Sequence, residues 1–245
     1  MKKKTSYLIL FILALIAPLQ SFAEEAAKEE GFVYVMDQVK TKFVEGGVTF
    51  MSIVGICLIF GLAISIERII TLNLSSINLP NFLTNLRDKL KSGGPEEART
   101  YCETQNGPVP NIISQSLIRY KGGTEQIEKS IIGYGQVEMG KLERGLSWIT
   151  LFIALAPMFG FMGTVLGMIE AFEDIQKSGG IKIDEVAKGI KTALLTTVAG
   201  LVVAVVLQVF YNYCTSKLEA VVNQMEEAAL VFVDMLIVED LDKKA

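Results

Sequence analysis

Thr164 and Thr197 lie on stripes of small residues inside two 25-residue stretches, 145–169 and 192–216, that hold no Asp, Glu, His, Lys or Arg. A hydroxyl can pass a proton or orient water, but it holds no charge near neutral pH. Stripes of small and polar residues on otherwise apolar helices line helix contacts or a pore rather than lipid. Proton flux driven by a membrane potential ordinarily uses a carboxylate that alternates between two protonation states, and these stretches offer none. The residues therefore predict a sleeve whose titrating acid belongs to a different polypeptide.

In the first stretch Ala156, Gly160, Gly163 and Gly167 follow at spacings of four, three and four, which places them on one face of an α-helix. Gly163 and Gly167 form a GxxxG pair that admits a neighbouring backbone, with Thr164 at the margin. Pro157 removes one backbone hydrogen bond and predicts a bend. In the second stretch Ala193, Thr197, Gly200, Ala204 and Gln208 make a matching stripe. Thr192 and Thr196 point to an adjacent face, where a hydroxyl satisfied on the carbonyl three or four residues back is the simpler reading. Thr164 and Thr197 are thus the candidate proton pathway. Pro157, Gly160, Gly163, Gly167, Thr196, Gly200, Ala204 and Gln208 are candidate pore-lining or helix-packing positions. Glu170 and Glu173, at the end of the first stretch, are candidates for a pore mouth, against a simpler reading as solvated caps of the apolar zone.

The elements that must hold these residues follow from hydropathy. The 245 residues are 51% hydrophobic with mean hydropathy +0.42, too apolar for an ordinary soluble domain. About 20 apolar residues cross the hydrocarbon core, and 46–66, 145–169 and 192–216 qualify. Residues 1–23 carry a basic head, an apolar centre over 7–17 and the small-residue ending Ser21-Phe22-Ala23, the pattern of a cleaved secretory signal. Phe32, Val35, Met36, Val39 and Phe43 give 24–45 an amphipathic helix on the periplasmic surface. The layout continues with a cytoplasmic region over 67–144, a periplasmic loop over 170–191 and a cytoplasmic tail over 217–245. Arg87, Lys89, Lys91, Lys141 and Arg144 agree with this orientation. Lys177, Lys182 and Lys188 oppose it, but the first segment usually dominates. The mature N-terminus is expected in the periplasm and the C-terminus in the cytoplasm of a bacterial inner membrane.

The cytoplasmic region reads as helices. Phe82, Leu83, Leu86 and Leu90 form a stripe ended by Gly93-Gly94, and Pro95 with Glu96-Glu97 starts the next helix. Gly107-Pro108 breaks that one. Ile112, Ile113, Ser116, Leu117 and Tyr120 share the following face, which Gly122-Gly123 ends, and Thr124 has the residue type of an N-cap. One uninterrupted helix of about 50 residues, or about 75 Å, is predicted from Glu125 to near Asp174. Leu218, Val222, Met225, Ala229, Phe232 and Leu236 extend the third span's pattern into the tail and should pack on that long helix. The expected fold class is an all-α membrane protein with three transmembrane helices, the second and third running on into a cytoplasmic helical bundle.

Charge and cysteine usage narrow the function. A net charge of −4 argues against nucleic acid. The chain has no histidine, and Cys57, Cys102 and Cys214 show no metal or redox spacing, so no cofactor or metal is expected. Without a nucleophile–base pair an enzyme is not expected either. Glu67-Arg68 reads as an interfacial anchor pair, Glu138, Lys141, Glu143 and Arg144 as helix-surface charge, and Trp148 as an interfacial aromatic.

The run Leu142-Glu143-Arg144-Gly145-Leu146, leading into residues 156–169 (APMFGFMGTVLGMI), resembles the LERGL and APxxGxxGTVxGMI patterns of the MotA/TolQ/ExbB proton-channel family. Residues 189–201 (GIKTALLTTVAGL) are similar to its GIxxALxxTxxGL pattern. Ile66-Glu67-Arg68-Ile69 is a weaker third match. The three-span layout favours the ExbB and TolQ branches over MotA, which has four spans. The resemblance implies an oligomeric pore, a homopentamer lined by the second and third spans. Inside it would sit two copies of an ExbD-like single-span partner carrying a membrane aspartate, acting with a TonB-like protein on outer-membrane receptors. It also implies that Thr164 and Thr197 face that aspartate. Some ExbB proteins have a glutamate where this chain has Thr192, which shifts the titrating role further onto the partner. A TolQ-like or gliding-type motor subunit, a non-conducting scaffold and a solute permease are the alternatives. Three spans without an internal repeat weigh against the last.

Overall fold

The computed structural model describes residues 31–178 and 183–244. The signal segment over 1–23 lies outside them, as do the side chains of Phe32, Val35 and Met36. The described residues are helical throughout their regular structure, with no strand. The helices are α1 (Gly31–Glu45), α2 (Val48–Ser75), α3 (Leu79–Glu103), α4 (Pro108–Leu117), α5 (Thr124–Glu143), α6 (Leu146–Ser178) and α7 (Ile183–Lys244), with one 3-10 turn at Tyr120–Gly122. Three helical stretches among the described residues, Val48–Ser75, Thr124–Lys177 and Val186–Ile237, are long and apolar enough to cross a membrane, and they overlap the three predicted spans.

The chain divides into two compact units. One comprises the described residues through Val54 together with Met158–Gly200; the other comprises Gly55–Pro157 and the residues from Leu201 onward. In the second unit the predicted stripe Phe82, Leu83, Leu86 and Leu90 is buried in a core with Ile112, Ile113, Phe232 and Leu236. Phe82 stacks on Tyr101 with centroids 5.7 Å apart. Asn78 caps α3 by accepting from the Asn81 amide at 3.4 Å. Gly94, at φ +70°, bends α3 so that Pro95 opens its second half without costing an interior hydrogen bond. Burial, and less strongly the neighbouring Glu103, pushes the Cys102 thiol up to about 12, so it packs as a neutral filler. The tail stripe packs as predicted: Met225 and Ala229 of α7 face Ile131 and Met139 of α5 across a groove.

The structure corrects two expectations. The helix predicted to run unbroken from Glu125 is two helices of 20 and 33 residues. Arg144 leaves the helical region at ψ 130° and Gly145 adopts φ +94°. A lone glycine without an adjacent proline is a weak break signal in sequence. Here its backbone freedom is used, because L side chains avoid that conformation. Thr124 does not cap α5 with its side chain. Gly123 holds the N-cap position at φ +81°, and Thr124 is the first helical residue.

Gly145→Ala should destabilise the protein by about 1–2 kcal/mol, because the left-handed conformation costs that much once a Cβ is present. In a protein of this size each kcal/mol lowers the melting temperature by about 2–4 °C. A thermal unfolding scan in mild detergent with an unchanged midpoint would contradict the strained-turn account.

Candidate proton pathway

The glycine stripe of α6 lies against α7 within the first unit, backbone to backbone at Gly160 and against the Thr196 and Ala193 side chains at Gly163 and Gly167. A Cβ added to Gly160 would lie 2.9 Å from the Thr196 carbonyl oxygen and 3.1 Å from the Thr197 Cα; one on Gly163 would lie 2.8 Å from the Thr196 Cγ2; one on Gly167 would lie 3.1 Å from the Ala193 Cβ. These distances exclude any side chain without movement of a neighbour, which is the close approach that small residues permit between apolar helices. Ala193, Thr196 and Gly200 are buried at this contact. Further along, a Cβ on Gly189 would meet the Ala171 Cβ at 2.9 Å, so the two helices stay close beyond the stripe.

This packing fixes three hydroxyls. Thr197 donates to the Gly160 carbonyl at 2.9 Å, a bond from α7 to α6. Thr164 donates to the Phe161 carbonyl of its own helix at 2.6 Å. Thr196, only 2% exposed, donates to the Gly46 carbonyl at 2.7 Å and lies 3.1 Å from the Thr192 carbonyl. Sequence spacing supplied only the within-helix partner for Thr196. The bond to Gly46 crosses 150 positions of sequence and leaves no trace in local pattern. Gly46 belongs to the turn between α1 and α2, where Gly47 takes φ +81°. The same turn is held by Glu45, which pairs with Lys191 at 3.0 Å and Lys42 at 3.2 Å. Hydrogen bonding from Lys191, then from Lys42, holds the Glu45 carboxyl below its ordinary range. A depressed folded value means that the pair's contribution is present above pH 4.5, the ordinary value, and is lost as pH falls through the lower folded value.

The remaining candidates separate. Glu170 and Asp174 of α6 line a cleft of about 340 Å³ with Lys188 and Thr192 of α7. Glu173 instead pairs with Lys177 at 3.2 Å. The spacing Gly167, Ala171, Asp174 was the available signal for Asp174, because it continues the glycine face by one turn while Glu173 falls to the side. In the second unit, Ala156 is buried and Pro157 and Ala204 are half-buried. Gln208 is exposed and donates to Asn212 at 2.9 Å. Arg68 tucks its side chain against Gly145 and donates to Glu67 at 2.6 Å.

Residues 105–227, which include both stripes, match the sequence profile of the MotA/TolQ/ExbB proton channel family. The chain belongs to that family. It is 32% identical over 188 residues to a biopolymer transport protein ExbB homolog of Methanothermobacter thermautotrophicus, a match covering 75% of this chain and 65% of that protein. The chain thus spans slightly less than two thirds of that relative's length. It is 33% identical over 156 residues to the biopolymer transport protein exbB1 of Vibrio cholerae, covering 56% of this chain and 67% of that one. The fold is similar to a chain in the structure of C. jejuni MotAB, with TM-score 0.56 and 16% identity over 91% of this chain and 93% of the other. The turn at Gly46 lies outside the residues that the family profile matches.

Thr196→Val removes the donor to Gly46 at a buried site and should cost about 1–3 kcal/mol, whereas Thr197→Val should cost about 1 kcal/mol. Thermal unfolding of both variants in the same detergent checks the order. A Thr196→Val protein at least as stable as Thr197→Val would show that the link to Gly46 does not form.

Proposed function

We propose that this chain is the ExbB-type channel subunit of a proton-driven motor in a bacterial inner membrane. With an ExbD-like single-span partner carrying a membrane aspartate, it converts proton motive force into mechanical work for TonB-dependent outer-membrane transport. The observation that carries the reading is the close contact of Gly160, Gly163 and Gly167 with Ala193, Thr196 and Thr197, inside stretches that contain no titratable carboxylate. Such a wall is rigid, narrow and unable to store charge, and it gains a proton-carrying function once another chain brings an acid to it.

Several copies, five in the family's arrangement, would surround the partner with their second and third spans. Thr164 and Thr197 would face the partner's aspartate and relay protons to and from it. Residues 24–45 and 170–191 would lie on the periplasmic side, and 67–144 and 217–245 in the cytoplasm. The cleft with Glu170 and Asp174 would then form part of the outer mouth, where carboxylates raise the local concentration of cations. A TonB-like protein would receive the partner's motion.

Two measurements test this. Affinity purification in mild detergent should recover a small protein with one span and one aspartate within it. If this chain purifies alone and by itself dissipates a proton gradient, the two-protein mechanism is wrong. Thr164→Val and Thr197→Val should each lower proton-driven uptake on the order of tenfold, the rate equivalent of about 1.4 kcal/mol, with the amount of assembled complex unchanged. Full uptake by both variants would leave only a packing role for the stripes.

A further inference from the structure

In the second unit, the end of α5, the start of α6 and the middle of α7 enclose a cleft of about 570 Å³ whose lining includes Glu143, Ser147 and Thr150 on one side and Tyr211, Thr215 and Glu219 on the other. No Lys or Arg lines it. The α7 side is a ladder at helical spacing, whereas the other side is assembled across the turn at Gly145 from the last residue of α5 and the first turns of α6; each side contains a single carboxylate. The α7 ladder continues, in sequence, the spacing of the stripe that holds Thr197: Gly200, Ala204 and Gln208 are followed by Tyr211, Thr215 and Glu219. The Thr215 hydroxyl oxygen is buried and has no protein partner, while Thr150 donates to the Leu146 carbonyl at 3.2 Å. Water in a polar cleft of this size satisfies a hydroxyl such as that of Thr215. Arg68 is engaged by Glu67, Lys141 by Glu138, and Lys217 lies over the Tyr213 ring at 6.0 Å; Arg144, next to Glu143 in sequence, is exposed and does not line the cleft.

We propose that this cleft is the cytoplasmic proton exit, with Glu143 and Glu219 as the acceptors that take protons from the hydroxyl-lined passage and hand them to cytoplasmic buffer. The inference rests on the channel reading above and adds to it the residues where protons leave. Serine, threonine and tyrosine hydroxyls relay a proton but do not hold it near neutral pH. Direct release to bulk water must pass through hydronium, a far stronger acid than a carboxylic acid. A glutamate carboxylate, a stronger base than water, supplies the intermediate step. The carboxylate takes up the proton as a neutral carboxyl, gives it to a buffer base, and returns to its charged form, so protons and charge balance over the cycle. Two carboxylates in a cleft without lining cations also favour the approach of a positive charge.

The test uses the whole complex, this chain with its co-purified partner, in vesicles loaded with a pH-sensitive dye. Flux is driven by a potassium diffusion potential at low-millimolar internal buffer. The Glu143→Gln/Glu219→Gln double variant should slow proton entry on the order of tenfold or more, in line with the loss of a positioned proton acceptor. Raising a small internal buffer such as imidazole to tens of millimolar should restore the rate, because the buffer then accepts protons directly. Glu219→Asp should keep most of the flux because it retains the carboxylate, and the amount of assembled complex recovered for each variant is the folding control. A double variant as fast as wild type at low buffer overturns the exit, and so does a slow one that buffer fails to restore, since that marks a structural effect. A wild-type complex that conducts no protons overturns the channel reading itself, and the two failures are told apart because only the second occurs without mutation.

Discussion

Inside hydrocarbon, two apolar helices gain nothing from hiding from water, so they associate only where their shapes allow dense contact. In this protein that contact is the approach of α6 to α7 along Gly160, Gly163 and Gly167, where a single added carbon would come within about 3 Å of the opposing helix. The approach sets the rotation of each helix about its own axis. Once the rotation is set, the Thr197 hydroxyl reaches the Gly160 carbonyl, Thr164 folds back on Phe161, and Glu170 and Asp174 come to share a cleft with Thr192. A larger residue in the stripe would displace all of these together.

The chemistry of such a wall follows from the bonds that its hydroxyls make. A threonine that donates to a carbonyl still has lone pairs with which to accept, so it can join a proton relay by exchanging partners. It cannot keep the proton. The Thr197 bond is an interhelical tie as well as a candidate relay point. The two roles are compatible because exchanging one hydrogen-bond partner for another changes the net energy by only about 1 kcal/mol.

Most of the helical plan was legible in the sequence because burial and helix period act locally. The stripe ending at Leu90, the break at Gly94 and the tail stripe through Leu236 all show in residue spacing. The stripe holding Gly160, Gly163 and Gly167 was legible for the same reason, but its partner face on α7 was legible only in part: Ala193, Thr197 and Gly200 lie at the contact, while Thr196, read onto an adjacent face, is the residue that meets both Gly160 and Gly163. What failed was conformation at single residues and contact at long range. Gly145 looks like any helical glycine until its φ of +94° is seen, and Thr124 looks like a cap although Gly123 occupies that position. Thr196 and Thr197 are the same residue type at adjacent positions. One is tied to Gly46, 150 positions away, and the other to Gly160; helical period puts them on different faces but does not name either partner.

On the proposed reading, the division of labour between two chains has a mechanical reason. A carboxylate at membrane depth changes its solvation cost by several kcal/mol when it gains or loses a proton. If that group sat on the sleeve, each protonation would alter the wall, and the wall is held by backbone contacts that have no room to move. If the group sits on the threaded partner, the same energy change alters which position of the partner is most stable, and relaxation to that position is motion. The close-packed glycines then serve as the fixed reference against which the moving charge pushes, and their inability to titrate keeps the force on the partner.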